Sequence, residues 1–155
     1  MKTLLTAFVS FLFLFAINAN AQDVAKKVNT IVLYTSYSTA EEALYNIAHL
    51  LMTNNISSEK MDKELTSIVT NPIKYKNIDL KLTFKIAKKN ERIVIVCSGN
   101  FRDGAYYKDA IFELDQTWRP ITNRGIKIEN SYKAWEGLLE VVKRIPYNQI
   151  GYETR

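Results

Sequence analysis

The sequence predicts an α+β fold: an antiparallel sheet of about five to six strands with two helices packed on one face, in the order β-α-β-β-β-β-α-β. Three observations predict it. Residues 78–87, IDLKLTFKIA, alternate apolar and polar with a period of two, as a strand half-buried against a core does. Two segments, 38–55 and 130–146, repeat apolar residues at three- and four-residue steps, so each carries one apolar helix face. Short β-branched stretches bounded by turn residues fill much of the rest. Laying both helices on one side of an antiparallel sheet is the simplest way to bury both stripes.

Residues 1–21 are expected to be a signal peptide outside the fold. Lys2 gives a positive start, LLTAFVSFLFLFAI a short apolar run, and Ala19-Asn20-Ala21 the small residues before a cut at Gln22. The run is short for a membrane span, which needs about 20 residues. The expected product is periplasmic or secreted and soluble, with no transmembrane segment after cleavage. The mature chain would have 134 residues, with 20 basic against 16 acidic side chains and a net charge of +4. That length suits one domain, placed at 30–152 behind a flexible polar lead at 22–29.

Within the domain, TIVLYTS (30–36) is β-branched and apolar on both faces, which suits a strand covered on two sides. Residues 38–55 form the first helix. Ser38 is the expected N-cap, with Glu41 at the capping-box spacing and Asn54 and Asn55 suited to the left-handed turn that ends it. Residues 56–61 and 65–71 read as two strands round a turn at 62–64. The strand 78–87 then pairs with 92–101 through KKNE. Read as a four-residue loop at 87–90, this hairpin sets Phe84 opposite Ile93, Leu82 opposite Ile95 and Leu80 opposite Cys97. Residues 102–129 are irregular and aromatic, with short strands expected at 110–114 and 125–129. The second helix, 130–146, is capped by Asn130 or Ser131, carries a Glu140–Arg144 pair at the favourable spacing, and stops at Pro146. Gly137 costs about 1 kcal/mol in a helix interior, which points to close packing there. YNQIGY (147–152) is an expected edge strand.

The chemistry-bearing residues are few. Cys97, the only cysteine, shares parity with Ile93 and Ile95 and so points to the core, where a thiol is inert. It cannot form an internal disulfide. A nucleophilic cysteine needs a base in reach, and His49, the only histidine, falls on the exposed side of the first helix. No metal-ligand spacing is present, so no catalytic, metal or cofactor residue is assigned and no cofactor is expected. The opposite parity of the hairpin differs. Lys81, Lys85 and Arg92 make a basic strip, and Val94 and Val96 lie on the same face. Two valines on an outer sheet face ask for a cover, either the aromatic 102–129 segment or a partner. The acidic and basic residues of 102–129 read as solvated loop charge.

Three stretches carry a resemblance: LLMTNNISSEKMDKELTSIVTNP (50–72), the alternating hairpin 78–101, and NRGIKIENSYKAWEGLLEVVKRI (123–145). Together they resemble small secreted or lipid-anchored domains from Bacteroidetes-type bacteria, similar in fold to BamC-like and TATA-binding-protein-like modules. The resemblance covers about 30–152 and implies helices on one face of an antiparallel sheet; it implies no residue roles. The chain departs from the pattern at Gln22, where lipid-anchored members have cysteine, and at Thr66, where a glycine is usual after the DKEL turn.

The expected function is a non-enzymatic binding or assembly module of the cell envelope, with an envelope protein or cell-surface component as partner and Lys81, Lys85, Arg92, Val94 and Val96 as the contact face. The alternative is a small secreted hydrolase with its site in 102–129. Nucleic acid ranks last as a partner, since the basic excess is small and the chain is expected to be exported.

Overall fold

A computed structural model describes residues 27–103, 117–125 and 129–154. The expected leader, most of the polar lead, and the 110–114 strand lie outside the described residues. The elements are β1 (Thr30–Tyr34), α1 (Ala40–Thr53), β2 (Ser58–Asp62), β3 (Ser67–Thr70), β4 (Ile73–Tyr75), β5 (Ile78–Lys89), β6 (Arg92–Asp103), β7 (Arg119–Pro120), α2 (Asn130–Val142) and β8 (Gln149–Glu153).

The fold is α+β with an open antiparallel sheet. Its order is β2-β3-β5-β6-β1-β8, with β4 beside β5 and β7 beside β6. The eight strands among the described residues exceed the expected five to six because β4 and β7 carry no alternating pattern. β4 is three residues hidden behind Pro72, and its turn into β5 depends on Lys76 at φ 53°. β7 is two residues, one of them proline, on the flank of β6. Gly125 and Glu129, the ends of the other expected strand, lie outside any strand.

The β5–β6 hairpin turns more tightly than its sequence suggests. Lys89 pairs with Arg92, leaving only Asn90 and Glu91 in the turn, at φ 48° and 61°. Two residues of positive φ make the connection that matches strand twist. Asparagine accepts this geometry readily and glutamate does not, so Asn-Glu carries little of the signal of Asn-Gly. The register therefore differs from expectation by four residues. Phe84 faces Cys97, Leu82 faces Gly99 and Leu80 faces Phe101; on the other side Lys85 faces Val96, Ala87 faces Val94 and Lys81 faces Asn100. An even displacement keeps every side chain on its expected face.

The inner face carries the core. Leu80, Leu82, Phe84, Ile86, Ile93, Ile95, Cys97 and Phe101 from the hairpin join Ile31 and Leu33 of β1, and α1 and α2 both pack here. α1 contributes Ala43, Leu44, Ile47 and Leu51; α2 contributes Ala134, Trp135, Leu138, Val141 and Val142. Gly137 serves close approach: a Cβ there would lie 2.5 Å from Leu80 Cδ1 and 3.0 Å from the Tyr75 ring. Gly99 is similarly confined, with Lys81 O at 2.6 Å from a Cβ position.

The ends of the helices correct the expected caps. α1 is capped by Thr39, one residue after Ser38. Its hydroxyl accepts from Glu42 N at 3.1 Å, while the Glu42 carboxylate accepts from Ser38 N at 2.8 Å. Asn55 takes the left-handed conformation at φ 58°. α2 is preceded by Glu129, whose side chain makes no cap, and it ends at Val142, before Pro146. Glu140 and Arg144 do not pair: Glu140 accepts from Tyr75 Oη at 2.8 Å, and Arg144 donates to Asn54 Oδ1. Val28, placed in the polar lead by composition, is buried, and its flanks are bonded to Asn123 O and Glu153 O. Thr66 stands at φ 44° and exchanges hydrogen bonds with Ile86 through its hydroxyl and its carbonyl, both at 2.8 Å. Here a side chain anchors a backbone conformation that glycine would adopt without strain.

Candidate functional site

Cys97 sits at the centre of the inner face, fully buried between Phe84 on β5 and Ile31 on β1 rather than opposite Leu80. Burial pushes its thiol far above the ordinary range, because the thiolate would lose its hydration. His49 is exposed on α1. Among the described residues, no group of His, Cys, Asp and Glu could hold a metal ion. None of their helices is long and apolar enough to cross a membrane.

Three charges at the described ends of the 102–129 segment, Arg102, Asp103 and Arg119, are partnered. Arg102 Nε donates to Asp79 at 3.0 Å and stacks over the Trp118 ring at 4.8 Å. Arg119 donates to Asp103 at 2.7 Å and lies over Phe101 at 4.8 Å, while Asn130 donates to the other Asp103 oxygen at 2.6 Å. These contacts fasten β7 and the start of α2 to the end of β6. The expectation of solvated loop charge fails for these three residues because their partners lie on other strands and on α2.

The outer face holds the residues singled out from the sequence. Val94 and Val96 are 2% and 9% exposed and form a second buried cluster with Val32, with Tyr34 packed against it. β1 supplies the floor beside them, since Val32 pairs with Val96 and Tyr34 with Val94. The basic strip divides. Lys81 reaches Glu59 on β2 at 2.5 Å and belongs to the edge of the sheet. Lys85 and Arg92 are exposed, and Lys89, the last outward position of β5 beyond Ala87, extends the strip toward the hairpin tip. Lys89 Nζ contacts Glu153 on β8 at 3.2 Å. The expected loop at 87–90 leaves Lys89 out of the strand, whereas the two-residue turn places it in β5.

A second concave feature lies along α1. Tyr45, Ala48, Leu51, Met52 and Ile56 line a groove of about 650 Å³ that His49 and Ser57 border. Tyr45 is 46% and Met52 66% exposed, and the Lys63 ammonium lies 5.4 Å from the Tyr45 ring centre. The apolar positions outside the main stripe of the helix were the sequence signal for it.

Compared with protein-family models and with curated proteins, the chain matches none.

Proposed function

We propose that the chain is an exported, non-enzymatic binding or assembly module of the cell envelope. In this reading its mature form starts at Gln22, and it engages an envelope protein or cell-surface component through the outer face of the β5–β6 hairpin. The observation that carries this reading is the exposed pair Lys85 and Arg92. They make no ion pair among the described residues and border the apolar floor of Val32, Val94 and Val96. Cations beside a low-dielectric floor suit recognition of an acidic surface. The resemblance to small exported domains with a BamC-like fold agrees with this role. The alternative hydrolase has less support, since Arg102, Asp103 and Arg119 are engaged in holding the fold together.

Two measurements test the proposal. Cell fractionation and N-terminal sequencing of the expressed full chain should give a product beginning at Gln22 outside the cytoplasm; a cytoplasmic product beginning at Met1 overturns export. A photo-crosslinker at position 85 or 92 should give a discrete adduct in cells, and one at Lys143, on the helix side, should not. Equal labelling from both sides overturns the face.

The α1 groove supports a second reading of the site, with the partner placed on Tyr45 and Met52. In that case a photo-crosslinker at position 52 should give the adduct and one at position 85 or 92 should not; the first reading expects the reverse.

A further inference from the structure

We infer that the Lys89–Glu153 ion pair is a clasp across the outer face, and that an acidic extended segment of a partner protein docks there by taking Lys89 from Glu153. This rests on the outer-face reading above and names the chemistry of the partner.

The clasp follows from register. Lys89 is the last residue of β5 and faces Arg92 at the start of β6. Glu153 on β8 faces Thr30 of β1, and the β1–β6 register continues from Thr30 to Ser98, opposite Thr83. The two residues are therefore three strands apart and displaced by six positions along the strands. On a flat sheet that separation is about 25 Å. The two side chains together reach roughly 10 Å. Both occupy outward positions, and their charged atoms are 3.2 Å apart. The sheet must be coiled so that the β5 and β8 corners rise on the outer side and meet over β6 and β1. This is the direction in which strand twist curls a long ribbon. The valine floor lies between those corners.

The pair is half-exposed, with side chains 50% and 40% accessible. Exposed pairs contribute little and are screened by salt, so a competing carboxylate displaces Glu153 at small cost. Such a carboxylate finds Lys85, Lys89 and Arg92 already gathered on one side of the floor. An extended partner with carboxylates at alternate positions matches these exposed cations, while Val32, Val94 and Val96 stay buried beneath them. Glu153 is the chain's own model of that carboxylate.

The test uses the full mature chain and a fluorescein-labelled twelve-residue peptide of alternating Glu and Val, read by anisotropy at low salt. A Lys/Val peptide and vesicles of anionic lipid serve as comparisons, and melting curves confirm that each variant is folded. The Glu/Val peptide should bind and the Lys/Val peptide should not. Glu153→Gln should bind the Glu/Val peptide more tightly, by up to about fivefold. Lys85→Ala/Arg92→Ala should weaken it at least as much. Unchanged or weaker binding by Glu153→Gln, with binding still lost in Lys85→Ala/Arg92→Ala, overturns the clasp but leaves the face. Binding unaffected by Lys85→Ala/Arg92→Ala overturns the face itself. Absence of peptide binding, or equal binding of the anionic vesicles, overturns the acidic-segment partner.

Discussion

The two faces of this sheet are built from the same two strands and differ in what they bury. Inward positions of β5 and β6 meet two helices and form a continuous core of large aliphatic side chains around Phe84. Outward positions of β6, with Val32 of the neighbouring β1, form a three-valine cluster rimmed by lysines and arginine. Stability resides in the first face, and the proposed contact with a partner in the exposed rim of the second. A carboxylate can compete for Lys89, whereas nothing competes for Phe84.

Truncation on each side is the strongest way to test that division. Phe84→Ala removes a fully buried ring and should cost about 3–5 kcal/mol, whereas Val96→Ala should cost no more than roughly 2 kcal/mol. Denaturant titration of both variants checks the ranking, and equal losses would mean that the outer cluster is as structural as the inner core. A subtler contrast is available through pH. The folded state holds the Cys97 thiol neutral, well above its ordinary range, while the unfolded chain ionises near pH 8.5. The unfolded state therefore binds fewer protons above that pH, and stability falls as pH rises. Wild type should lose about 1.4 kcal/mol per pH unit more than Cys97→Ala in that range. The tyrosines that burial raises, Tyr37 and Tyr152 among them, titrate in both proteins and cancel in the comparison. Parallel stability curves would show that Cys97 is hydrated. The smallest effect belongs to the outer face. Lys89→Gln should lower stability by less than about 1 kcal/mol at low salt, and the difference should vanish at high salt. A large or salt-independent loss would make the clasp a packing element.

Faces were legible in the sequence and positions along them were not. The alternation of β5 assigns Leu80, Leu82, Phe84 and Ile86 inward whatever the turn, because side chains repeat every two residues. Pairing partners depend on the turn, and Asn90-Glu91 adopts a geometry that its residues do not advertise. Helix α1 was readable down to its left-handed Asn55, but two Ser/Thr-x-x-Glu frames overlap at its start, Ser38 with Glu41 and Thr39 with Glu42. Only the backbone path chooses between them. The outer-face residues Lys85, Arg92, Val94 and Val96 were found from parity alone. Lys89 and its contact with Glu153 were invisible, because their meeting depends on how the whole sheet coils.

β1 has a consequence of another kind. It is the first of the described strands to be made, yet it lies between β6 and β8, whose pairing residues begin at Val94 and end at Glu153. Until those residues emerge, TIVLY has no neighbour on either side and offers an adhesive apolar ribbon. Pairings this distant in sequence close slowly. Loss of the last few residues would leave one margin of β1 bare, so shortened chains should self-associate where the intact chain does not.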